Sequence, residues 1–145
     1  MRDSGLWIYP LVNLLHIVGI ASLFGSILII DLRLLGFKRR VPLGPLTAAV
    51  VPVATFGFAL AAATGLGLLA TKATEYYGNP FVLIKFPAIA AGLVNVWLLN
   101  RSPAWRARDV RELSDGECRQ LAMFGGVSLA CWGTAITAGR LIAYW

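Results

Sequence analysis

Acidic side chains are scarce in this chain, seven Asp and Glu against thirteen Lys and Arg, and charged residues of both signs make up only 14% of its 145 residues. A soluble domain carries about 25% charge, so this shortage argues against one. The charges are also missing in blocks: no Asp, Glu, Lys or Arg occurs in 4–30, 41–71, 86–100 or 120–139. Histidine occurs once, and Cys and Met twice each. A disulfide framework is excluded, because Cys118 and Cys131 fall on one expected helix, thirteen residues and therefore about 20 Å apart. So few soft ligands also argue against copper chemistry. Catalytic triads, phosphate-cradling glycine loops and metal-type cysteine spacings are absent, and Gly65-Leu66-Gly67 lies within an apolar run rather than at a strand–helix turn.

What is present is apolar surface: 58% of the residues are hydrophobic, with a mean hydropathy of +0.72. A bilayer core of about 30 Å takes about 20 apolar residues in a helix. The charge-free blocks meet that length, the third once Phe81–Lys85 is included. The expected fold is all-α: an integral membrane four-helix up-down bundle forming one transmembrane domain over 1–145, with helices at about 7–35, 46–70, 80–100 and 115–144. Met1–Gly5 carries one Arg and one Asp, and the apolar run behind it is too long for a signal peptide, so the first segment is read as a retained helix.

The net charge of +6 and pI near 9.9 would suit a nucleic-acid binder, but the distribution fits topology instead. Arg33, Lys38, Arg39, Arg40, Arg101, Arg106, Arg108, Arg111 and Arg119 lie at one end of the expected bundle, against Arg2, Lys72, Lys85 and Arg140 at the other. Nine against four is a positive-inside bias. It makes the two basic loops cytoplasmic and puts both termini outside, in a multi-pass protein of a bacterial inner membrane with the lipid bilayer, not nucleic acid, as its partner.

Local signals punctuate the spans. Trp7 and Tyr9 are interfacial aromatics, with Pro10 expected in the first turn of the first helix. Pro42, Gly44 and Pro45 are expected to break the chain before the second. Gly78-Asn79-Pro80 reads as a turn opening the third. Arg101–Arg119 reads as a short amphipathic stretch on the inner surface, and Ser114 with Glu117 as a capping box opening the fourth. Short connections imply that consecutive spans pack as antiparallel neighbours. Small-residue pairs at Ala21/Gly25, Ala61/Gly65 and along Gly126, Ala130 and Thr134 are candidate close-packing faces, within one chain or between copies.

Ionisable groups inside spans are costly and so are candidate functional residues. His16 lies nine residues inside Trp7, about 13 Å along its helix. Lys85 is five residues past Pro80, and Arg140 five before Trp145, each about 7 Å deep. Facing inward, these three would build a basic pocket open to the outer side, with only Glu75 and Asp3 near enough to neutralise it. Such a pocket suits an anionic ligand: the propionates of a haem, a quinone headgroup or a lipid phosphate, with His16 as iron ligand. The structural alternatives are snorkelling of Lys85 and Arg140 to the headgroups and an interhelical hydrogen bond from His16 to Asn13 or Asn95. Asp31 and Arg33 are expected to meet the loop basics or the inner headgroups.

Leu15-His16-Ile17-Val18-Gly19, Gly25, and Asp31-Leu32-Arg33-Leu34-Leu35-Gly36 resemble a family of uncharacterised small four-helix proteins of bacterial inner membranes. Asn79-Pro80-Phe81 leading to Lys85-Phe86 resembles the start of that family's third helix. More remotely, a helix-1 histidine, an Arg-Leu near its inner end and a helix-3 lysine are similar to the J-type protoporphyrinogen oxidases and the copper-resistance D-type proteins. The resemblance to the J-type oxidases implies haem binding at His16 and Lys85. With one histidine, the sixth iron position falls to Lys85, to a histidine of another copy or partner, or stays open. The expectation is therefore a protein that binds haem b, or a similar redox cofactor, for electron transfer. Its cofactor-binding set is His16, Lys85, Arg140 and Asn13, with His16 as the metal ligand and a membrane redox partner implied. The alternative is a non-enzymatic scaffold or anchor subunit, as a homo-oligomer.

Overall fold

The computed structural model describes residues 4–145, and the expected contributions of Arg2 and Asp3 lie outside these. Four long helices carry the fold: α1 (Ser4–Leu34), α2 (Leu43–Thr71), α4 (Pro80–Arg101) and α6 (Asp115–Leu141), with two short ones, α3 (Ala73–Tyr76) and α5 (Pro103–Ala107), in the connections. A 3-10 turn, Ile142–Tyr144, ends the chain. All four long helices are long and apolar enough to cross a membrane. Their outward faces are apolar: Leu83 is 74% exposed, Phe56 64% and Leu66 64%. Without water to pair with, backbone groups at this depth must bond within their own helix, and lipid is the solvent those side chains fit. The chain is a multi-pass integral membrane protein.

Helix boundaries follow from local chemistry. α2 begins at Leu43, earlier than expected, and runs through Gly44 and Pro45. A proline in a first turn forfeits only an N–H that has no helical partner, so these residues open the helix rather than break the chain before it. α1 begins at Ser4, which moves Pro10 from the first turn into the helix interior. Asn79 caps α4, accepting from Phe81 N at 2.9 Å, and donates to Ile142 O at 3.4 Å, tying the start of α4 to the last turn of the chain. The Ser114–Glu117 capping box opens α6 as expected.

Packing runs in the order α2, α1, α6, α4. Consecutive spans are neighbours at α1/α2 and at α4/α6, but α2 and α4 share no substantial interface despite their short connection, among the described residues. α1 and α2 approach through glycine. A Cβ on Gly57 would stand 2.6 Å from Leu23 N, and one on Gly19 2.7 Å from Ala61 N. Ala61 thus takes part as expected, whereas Ala21 is exposed and a Cβ on Gly25 would meet nothing. On α6 the close approach is at Gly125, whose Cβ would come within 3.0 Å of Asp31 O, rather than at Gly126.

The tightest apolar packing lies at the basic end. Leu34, Leu43, Leu99 and Leu121 close around Ala104 and Trp105 of α5. Residues 103–107, expected to lie on the membrane surface, instead turn inward as a plug: Ser102 caps the helix by accepting from Trp105 N at 3.2 Å, and Ala104 is fully buried.

Candidate functional site

Because α2 and α4 stay apart, the outer end of the bundle opens into a cleft of about 660 Å³. His16 and Asn13 of α1, Lys85 of α4 and Arg140 of α6 all line it. Four residues scattered over three helices are thus brought to one cavity.

His16 is half-buried against α2. Its Nδ1 lies 3.0 Å from Thr64 Oγ1, and that hydroxyl in turn donates to Leu60 O at 2.6 Å. A hydroxyl whose proton is committed to a carbonyl accepts with its oxygen, so the imidazole carries its proton on Nδ1 and Nε2 keeps a lone pair. Gly65 makes room for the ring: a Cβ there would come within 3.0 Å of His16 Cε1. The interhelical hydrogen bond expected for His16 exists, but Thr64 supplies it. Asn13 is exposed on the cleft wall, and Asn95 instead donates to Phe124 O at 3.0 Å. Thr64 was legible in principle, as a hydroxyl one position before the small residue that faces the histidine.

Lys85 reaches across toward α6 at a second glycine. A Cβ on Gly139 would lie 3.4 Å from its Nζ. Arg140 is exposed at the cleft mouth, donating from Nη2 to the Tyr144 hydroxyl at 2.9 Å, with its guanidinium 5.2 Å from the centre of that ring. It thus guards the entrance, while Lys85 stands inside. Lys72 and Glu75 also line the cleft, pairing at 3.3 Å. The Glu75 carboxylate, by its hydrogen bond and then its charge, raises the Lys72 ammonium above its ordinary range. Lys72 is a cleft residue outside the expected set of His16, Lys85, Arg140 and Asn13. Its signal was its place at the end of a charge-free run, on the outer side.

Asp31 departs from expectation. It is 4% exposed, turned toward α6 beside Ser128, and among the described residues its Oδ2 has no hydrogen-bond partner. Arg33 does not approach it, but donates to Val41 O at 2.7 Å and Arg39 O at 3.1 Å. Among the described residues, Asp31 pairs with no cation. The two residues separate because positions two apart on a helix point to different sides. The bundle interior is therefore less apolar than the basic trio alone implied, with Asp31, Asn95 and Ser128 all buried.

Compared with protein-family models, with curated proteins and with solved structures, the chain matches none.

Proposed function

We propose that the outer cleft binds haem b or a similar anionic redox cofactor, and that the protein serves electron transfer in a bacterial inner membrane. The observation that carries this reading is the state of His16. Its Nδ1 lies 3.0 Å from Thr64 Oγ1, its Nε2 makes no hydrogen bond among the described residues, and it lines a cleft that also holds Lys85 and Arg140. A ligating histidine ordinarily donates its other ring nitrogen to a fixed acceptor, which sets the tautomer and the ring plane. The cleft volume of about 660 Å³ falls in the range of cofactor sites. Lys85 and Arg140, with Lys72 at the rim, would pair with propionate groups, and His16 Nε2 would hold the iron. Bound there, the group would supply one-electron chemistry. The chain's own part is to orient the ring, to neutralise the acid groups and to keep lipid and water from the iron face.

The test is the absorption spectrum of protein purified in mild detergent from haem-replete cells. A Soret band in the wild type, lost in His16→Ala and kept in Met123→Ala, is the expected result. Met123 is a control because it is 69% exposed on an outward face. No Soret band in the wild type would overturn the reading and leave the scaffold or anchor role, for which His16→Ala leaves assembly intact.

A further inference from the structure

The basic end of the bundle carries a second cavity, of about 650 Å³, built from the α1–α2 connection and the α5–α6 connection. Four arginines line it, Arg33, Arg39, Arg108 and Arg111, against two carboxylates, Asp109 and Glu112. Leu34, Leu43 and Leu121, the core of this end, form its apolar floor.

The arginines divide into those that build the site and those left to act in it. Arg33 grips the loop through Val41 O and Arg39 O. Arg111 is held by Glu117, Nη1 to Oε2 at 2.8 Å. Arg108 donates to Trp105 O at 2.6 Å and lies over the Trp105 ring, yet among the described residues its Nε is buried without a hydrogen-bond partner. The nearest carboxylate oxygen, on Asp109, is 3.8 Å from that Nε, too far for a hydrogen bond. Arg39 is folded back over Gly36, whose Cβ would stand 3.1 Å from Arg39 Nε. Gly36 has φ +103° there, a conformation open to glycine. Among the described residues, the Arg39 guanidinium makes no hydrogen bond or ion pair with the protein.

We infer that this inner cavity is a site for a phosphate-bearing anion, supplied by an anionic phospholipid of the inner leaflet, with Arg39 and Arg108 as the phosphate donors. Two features choose lipid over a soluble anion. The cavity sits where the charge bias places the inner headgroups, at the ends of α1 and α2. Below the arginines its floor is leucine, which suits glycerol and acyl carbons and offers a small soluble phosphate nothing. Basic pockets between helices on the cytoplasmic side are established places for such headgroups. The site is at the opposite end of the bundle from His16, so it stands or falls independently of the cofactor.

The test uses delipidated full-length protein in neutral detergent. Thermal unfolding is followed by tryptophan fluorescence during titration with phosphatidylglycerol, phosphatidylcholine or inorganic phosphate. Phosphatidylglycerol should raise the midpoint well above the other two. Arg39→Gln should weaken its apparent affinity on the order of ten-fold, since a direct hydrogen bond to a charged group contributes about that factor. Arg39→Gln should fold normally, because its guanidinium holds nothing in place. Lys38→Gln, on the same turn but not lining the cavity, should bind as the wild type does. Equal effects of phosphatidylglycerol and phosphatidylcholine would overturn the inference. So would an unchanged affinity in Arg39→Gln, or a shift that inorganic phosphate reproduces.

Discussion

His16 and Asp31 lie on the same helix but in different surroundings, one on a cavity wall and the other buried. The imidazole has one nitrogen satisfied by Thr64 and stands on a cavity wall. The carboxylate is buried against α6, with one oxygen unpaired among the described residues. An unsatisfied buried acceptor costs stability, and an amide of the same shape removes the charge without leaving a hole. Asp31→Asn should therefore keep thermal stability within about 1 kcal/mol of the wild type or raise it. A fall of several degrees in the unfolding midpoint would show that the carboxylate itself holds the helices. At the other site, Thr64→Val removes the acceptor for His16 Nδ1 while keeping the side-chain volume. The loss should be about 1 kcal/mol of stability and, in haem-loaded protein, a shift of the Soret maximum. An unchanged spectrum would mean that Thr64 does not orient the ring. Neither neighbourhood was legible in the sequence, because a residue's depth along a helix is readable from spacing whereas its azimuth is not when every face is apolar.

Among the elements, α1 and α2 depend on one another most closely. Their backbones approach at Gly19 and Gly57, where any side chain would strike main-chain atoms of the other helix. Main chain cannot rotate aside as a flexible side chain can. Gly57→Ala should thus destabilise the protein by about 1–3 kcal/mol, measured as a lowered unfolding midpoint in detergent. Gly67→Ala, where a Cβ would meet nothing, should leave the midpoint unchanged or slightly higher. Equal effects at the two positions would contradict the close approach. Element positions were largely legible, since charge-free runs mark spans and Ser114 with Glu117 marks a helix start. The errors have physical causes. Pro45 resembles a chain breaker in sequence, yet it sits in the first turn of α2, which accepts a proline. The stretch 103–107 is flanked by arginines that suggest a surface position, whereas the core takes in Ala104 and Trp105.

For the whole molecule, the arrangement that matters is the failure of α2 and α4 to close against each other. A bundle closed all round would bury His16 and Lys85 without a cavity. This one leaves about 660 Å³ at the outer end, floored by α1 and α6. That opening could not be foreseen, because short connections suggest contact between consecutive spans. The orientation expected from charge is checkable. In whole cells, a cysteine at Tyr77, 93% exposed in the outer turn, should react with a membrane-impermeant maleimide, whereas one at Val110, 83% exposed in the basic loop, should not. The reverse pattern would invert the topology and move the cleft to the cytoplasmic side.

The most direct measurement of the central claim is a haem titration of cofactor-free protein in detergent, followed at the Soret maximum. The account predicts a saturable signal at one haem per chain in the wild type, abolished in His16→Ala and weakened in Lys85→Met. Titration curves for wild type and His16→Ala that superimpose, or that never saturate, would contradict it.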